Sequence, residues 1–191
     1  MVSSEAVPFL DSPTRMVSSM VNEEPTDVII WNVQSDASFA SEIMKHLAGM
    51  RRTEGISTKN FLLDIAAGAS SAQSIARLAH ARVRLILVSS DFVNALVEDQ
   101  LTIDASDAVI AARDERLQNQ LPYRIIPTFV RPVSTEVYEK DPLLGKIKGL
   151  PRNGRPIQAW RNQDAAWAEI ASELRQVLIA LGRLKPSQRS W

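Results

Sequence analysis

Carboxylates are the main groups this chain offers for chemistry. It has no cysteine and two histidines, His46 and His80, so it lacks a thiolate nucleophile, a disulfide framework and any sulfur-based zinc site. Both histidines fall in expected helices and read as surface or boundary residues. Ser74 and the pairs Ser70-Ser71 and Ser89-Ser90 have no GxSxG elbow around them, and no phosphate-cradling GxxxxGK or GxGxxG loop occurs. Among its 22 Asp and Glu residues, Asp36, Asp64, Glu98, Asp99 and Asp104 are the candidates. A placed carboxylate can move a proton or stabilise a developing positive charge, whereas an acid on a helix surface is usually just solvated. Arg51, Arg52, Arg77, Arg82 and Arg84 could face phosphates or an acidic partner, or sit as solvated helix ends.

Position therefore decides, and the pattern of elements supplies it. Val28-Ile29-Ile30-Trp31 is a short apolar run suited to a buried parallel strand. Ser35-Asp36-Ala37-Ser38 offers a helix cap, and Phe39, Ile43, Leu47 and Met50 share one face of the helix that follows. Asn60 to Asp64 reads as a second strand, Ala66 to Ser71 as a small-residue loop, and Ile75, Leu78 and Ala79 as a second helix. Arg84 to Ser89 is the clearest central strand, residues 90 to 116 hold one or two helices, and Arg124 to Val130 is the fourth strand, with Pro127 placing it near an edge or bulge. Strands alternating with helices imply a parallel sheet covered on both faces. In such sheets ligands bind beyond the carboxyl ends of the strands. The loops after Trp31, Asp64, Ser89 and Val130 are where a site belongs.

The closing stretch runs GLPRNGRPIQAW from Gly149 to Trp160 and then RNQDAAWAEIASELRQVL to Leu178. Pro151 and Asn153-Gly154 predict a tight turn, and Pro156 to Trp160 a last, short edge strand. Asp164 is an N-cap candidate for a final helix along which Trp167, Ile170, Leu174, Val177, Leu178 and Leu181 recur at helical spacing.

This succession of Leu-Pro-Arg turn, Trp-ended segment and Trp-bearing helix resembles the C-terminal end of bacterial Toll/interleukin-1 receptor (TIR) domains, and the resemblance extends over about residues 26 to 182. It implies a flavodoxin-like TIR fold, a mostly parallel α/β sheet of about five strands; residues 1–25, rich in Ser, Pro, Glu and Asp without sustained periodicity, read as a flexible leader and 183–191 as a short tail. TIR domains are either protein-interaction modules or enzymes that split NAD. After the first strand Asp36 and Phe39 match the family's loop, whereas Trp31 and Asn32 stand where Ser and Tyr are usual. Asp64, Ile65 and Gly68 resemble the loop that packs against neighbouring copies and closes over the nucleotide. The resemblance thus assigns Trp31, Asn32, Asp36, Asp64 and Phe92 to a nucleotide pocket and Ala66, Ala67, Gly68, Ala69 and Ser70 to an assembly interface.

Val88-Ser89-Ser90-Asp91-Phe92 resembles the family's VSPDF-like segment, after which NAD-cleaving members carry a glutamate on the helix. That position is Leu101 here. Cleaving the nicotinamide-ribose bond builds oxocarbenium character that a carboxylate can stabilise, and leucine cannot. Glu98, three residues earlier and within one helical turn, is the candidate displaced acid. The expectation is a signalling or defence module acting by assembly with itself or other TIR domains, with a degenerate nucleotide pocket. The alternative is an NAD nucleosidase using Glu98. NAD enters only as a substrate or ligand, and neither a metal nor a resident cofactor is expected.

Composition agrees with one such domain. The 191 residues are 45% hydrophobic, and Lys plus Arg balance Asp plus Glu at 22 each, so bulk charge advertises neither nucleic acid nor a membrane surface. No apolar run reaches membrane-spanning length, and the first residues lack a basic-then-apolar targeting pattern. A cytoplasmic setting is expected.

Overall fold

The computed structural model describes residues 26–62, 81–97, 123–134, 136 and 147–186. Four strands, β1 (Val28–Trp31), β2 (Thr58–Asn60), β3 (Val83–Val88) and β4 (Arg124–Phe129), form one sheet in the order β2-β1-β3-β4. Every pairing is parallel, with Val28 opposite both Thr58 and Val83, and Ile86 opposite Pro127. The order reverses between β1 and β3, which defines a flavodoxin-like α/β fold and puts its switch point between those two strands.

β1, β3 and β4 are largely apolar because both faces of the sheet are covered there. Val28, Ile30, Val83, Leu85, Leu87 and Ile126 point to one core, shared with helices α1 (Ala37–His46) and α4 (Gln163–Ala180). Ile29, Trp31, Ile86, Val88 and Ile125 point to the other, where Phe92 of α3 (Ser90–Val97) packs. Helix α2 (Ala48–Glu54) follows α1 after a break at Leu47 and ends at Gly55, whose φ of 65° suits glycine.

Helix α4 lays Trp167, Ile170, Leu174 and Leu178 along one stripe, all at 1% exposure or less. Full burial of such an aliphatic side chain stabilises the fold by about 1.5–3 kcal/mol. Its cap is Asn162, whose side chain accepts from the Ala165 N–H at 3.2 Å, rather than the expected Asp164, which lies in the first turn. At the other end Gly182 at φ 71° turns the chain, and the Arg183 N–H donates to Leu178 O at 2.9 Å. Leu184 then packs into the core and Arg183 bonds Asp27, so the packed unit continues past residue 182.

Two strands differ from expectation. β2 spans Thr58–Asn60 rather than Asn60 to Asp64, because Asn60 Oδ1 accepts the Leu62 N–H at 3.0 Å and turns the chain out of the ladder. The expected edge strand from Pro156 to Trp160 is a 3-10 turn over Ile157–Ala159. There the Ala159 and Trp160 N–H groups donate back to Pro156 O and Ile157 O, while Ile157 is fully buried as the anchor. The sheet's fifth position is held instead by one parallel bridge between Thr128 and Leu150. The sheet described is thus four strands and a bridge, where about five strands were expected. The turn at Pro151 is as expected, with the Gly154 N–H donating to Pro151 O at 2.9 Å.

At the amino ends of the strands Asp27, 2% exposed, ties three segments together. Its Oδ2 accepts the Ser57 N–H at 2.8 Å, and its Oδ1 lies 2.7 Å from Arg183 Nε and 3.3 Å from Arg82 Nε.

Candidate functional site at the sheet switch point

The loops leaving β1, β3 and β4 meet at the carboxyl ends of the strands. After β1 the chain makes a 3-10 turn over Gln34–Asp36, which carries Asp36 into the interior at 0% exposure. Its carboxylate makes no helix-cap bond. Instead Ser89 Oγ, at the end of β3, donates to Asp36 Oδ2 at 2.5 Å and accepts the Phe92 N–H at 3.1 Å. Ser89 thus caps α3 and holds Asp36 at once.

Arg131, the second residue after β4, closes the arrangement. Its Nε lies 3.3 Å from Asp36 Oδ1, its Nη1 donates to Asp91 Oδ2 at 3.1 Å and its Nη2 to Ser35 O at 2.7 Å. The guanidinium also sits 5.6 Å from the Phe39 ring centroid. Beside it Ser90 Oγ donates to Pro132 O at 3.0 Å. One buried carboxylate, one hydroxyl and one guanidinium therefore bind together the loops after three strands.

Burial raises the pKa of Asp36 above the usual carboxylate value, and the Asp91 charge adds to this; the Ser89 hydrogen bond and the Arg131 charge oppose it. Desolvation wins, so the ionised form is held at a cost to the fold.

Of the residues expected to line a nucleotide pocket, the structure brings Trp31, Asn32, Asp36 and Phe92 together, all at 4% exposure or less. The Trp31 ring meets Phe61 and Phe92 edge-on at centroid distances of 5.7 and 5.8 Å. Asn32 Nδ2 donates to Val33 O at 2.8 Å. Among the described residues Trp31 Nε1, Asn32 Oδ1 and Asp36 Oδ1 are buried with no hydrogen-bond partner, Asp36 Oδ1 having only the Arg131 charge beside it, so one N–H donor and two acceptors are left at the switch point. Asp64, Glu98 and the Ala66, Ala67, Gly68, Ala69, Ser70 segment lie outside the described residues, as do His80 and Leu101. His46 lies apart from the switch point, its Nε2 3.8 Å from Asp164.

Arg131 is the member of the arrangement that the sequence reading did not single out. Its signal was placement, since it directly follows Val130 in one of the four loops where a site was expected. Among the described residues no group of three or more His, Asp or Glu side chains is arranged to hold a metal ion, and no helix is long and apolar enough to cross a membrane.

The class these observations define is a flavodoxin-like α/β protein with a carboxylate-centred clamp at its switch point. No protein-family model matches the chain, and no curated protein matches it.

Proposed function

We propose that this chain is a TIR-type signalling or defence module that works by assembling with copies of itself or with other TIR domains, its switch-point residues serving the fold. The observation carrying this reading is burial. A side chain that recognises a nucleotide must present polar atoms to it, and Asp36 is fully buried, with its Oδ2 bonded to Ser89 and its Oδ1 facing the Arg131 charge. Trp31 and Phe92 likewise spend their ring faces on core contacts. Assembly then falls to surfaces away from the clamp, and the resemblance points to residues 66–71.

Sedimentation velocity of the purified chain across a wide concentration range tests this, alone and mixed with a TIR domain. Concentration-dependent association that Gly68→Pro weakens in a still-folded protein is expected. A strict monomer at high concentration in both settings would count decisively against the module.

The unpartnered Trp31 Nε1 and Asn32 Oδ1 favour a second reading, an NAD nucleosidase whose pocket forms around these atoms with Glu98 as the displaced acid. Nicotinamide release from NAD, measured dilute and under crowding, separates the two. Release that Glu98→Gln abolishes establishes the enzyme, and no release in either condition leaves the assembly module.

A further inference from the structure

We propose that the cleft along the outer edge of β4 binds a small amphiphile with one anionic group, a carboxylate or a phosphate monoester attached to an apolar body. The cleft encloses about 630 Å3, within the roughly 300–1,000 Å3 of small-molecule sites. It lies apart from the switch point and does not depend on the assembly reading.

Its chemistry is divided. The floor is apolar, made by Ile125 and Phe129 from β4, Ile147 and Leu150 from the bridging segment, and Val177 from α4. The rim holds three cations, Arg124, Lys148 and Arg152, against one acid, Glu173. Arg152 Nη2 donates to Glu173 Oε2 at 2.6 Å, so that cation and that acid offset each other, and Arg124 Nη1 donates to Tyr123 O at 3.0 Å. Lys148 is exposed and has no ion-pair partner among the described residues. The cleft therefore carries a rim whose uncompensated charge is Lys148, over an apolar floor. A neutral hydrocarbon leaves that rim unused, and a bare anion leaves the floor wet.

The wall is also preorganised. The Leu150 N–H donates to Pro127 O at 2.7 Å and the Phe129 N–H to Leu150 O at 2.8 Å, which pins the segment bearing Lys148 to the edge of β4. Between them Gly149 passes so close that a Cβ would stand 2.6 Å from Phe129 Cε2 and 2.8 Å from Pro127 O. Only glycine fits this approach without displacing the backbone. A rim cation and an apolar floor held in fixed relation reduce the entropy that binding must overcome.

The test uses the full chain and 8-anilinonaphthalene-1-sulfonate, an aromatic body with one sulfonate, followed by fluorescence. Saturable binding at one site per chain is expected, displaced by decanoate or by phenyl phosphate and not by decanol or inorganic phosphate. The stronger of the two displacers decides between a carboxylate and a phosphate ester. Lys148→Glu should weaken the probe at least tenfold with unchanged circular dichroism and Tm, and Lys148→Gln should weaken it by less. Absence of saturable binding, equal binding to Lys148→Glu, or displacement by inorganic phosphate alone would overturn the proposal. So would a Lys148→Glu variant that loses self-association while neither protein binds the probe, because that result assigns the face to a second copy of the chain.

Discussion

Ser89 Oγ and Asp36 Oδ2 are joined by a 2.5 Å hydrogen bond between residues 53 apart in sequence, both fully buried. The bond locks the loop after β1 to the loop after β3, the two strands between which the sheet order reverses.

The raised pKa of Asp36 gives that lock a pH signature. A carboxyl whose folded pKa exceeds its unfolded value binds more protons when folded, so its contribution is fully present below the unfolded pKa and is lost as pH rises through the folded one. Urea unfolding from pH 3.5 upward should therefore show the wild type losing stability relative to Asp36→Asn as pH rises above the ordinary aspartate value. At neutral pH Asp36→Asn should be nearly as stable as the wild type, its carboxamide oxygen still accepting from Ser89. Asp36→Ala strands the Ser89 hydroxyl and should cost about 1–3 kcal/mol. A wild type that gains stability relative to Asp36→Asn over that pH window would contradict the account.

Asp27 is a second buried acid, whose Oδ2 accepts the Ser57 N–H and whose Oδ1 accepts from Arg183 Nε, with the Arg82 guanidinium 3.3 Å away as a further counter-charge. Both arginines are about one-third exposed, which lets water screen part of the attraction. Asp27→Ala is expected to cost about 2–3 kcal/mol, chiefly by leaving the Ser57 N–H and Arg183 Nε without their acceptor and Arg82 without its counter-charge. Asp27→Asn should cost less. The midpoint of urea unfolding reads both, and losses under about 0.5 kcal/mol would mean the hub is dispensable.

Trp31 buries an indole N–H with no acceptor, which is unfavourable unless a ligand or water meets it. In Trp31→Phe the small cavity left by the larger ring opposes the relief of that orphaned donor. Stability should stay within about 1 kcal/mol of the wild type by thermal unfolding. A loss beyond about 2 kcal/mol would show that the N–H is satisfied in solution.

Gly149→Ala places a methyl group against Pro127 O, a backbone atom that cannot rotate away. The expected cost is about 1–3 kcal/mol, concentrated locally. Hydrogen exchange should report it as faster exchange at the Phe129 and Leu150 amides, which bond across this approach, with β1 and β3 unchanged. Uniformly faster exchange would place the strain elsewhere.

Strongly apolar runs were legible from sequence because burial on two faces leaves few other readings. Val28–Trp31, Val83–Val88 and Arg124–Phe129 stand within a residue of where their composition puts them. The short, polar β2 was misplaced because one Asn60 side chain, rather than a hydrophobic pattern, ends it. Pro156 to Trp160 has strand-like residue types, yet local i to i+3 bonds and the burial of Ile157 make a turn of it. The same holds at the switch point. Asp36 was singled out by its loop, but its bond to Ser89 and the reach of Arg131 across three loops are long-range geometry that no local spacing encodes.

Pro127 has a consequence for how copies of this protein can meet. In β4 its missing N–H lies on the side away from β3, where the Leu150 N–H donates to its carbonyl, so among the described residues this side of β4 lacks one donor that a full ladder would need. At the opposite border β2 is three residues long with Lys59 at its centre. Among the described residues neither β2 nor β4 is suited to continuing the sheet into another molecule. If copies assemble as proposed, these two strands direct them to join through side-chain surfaces rather than by extending the sheet, in contacts that dissociate on dilution.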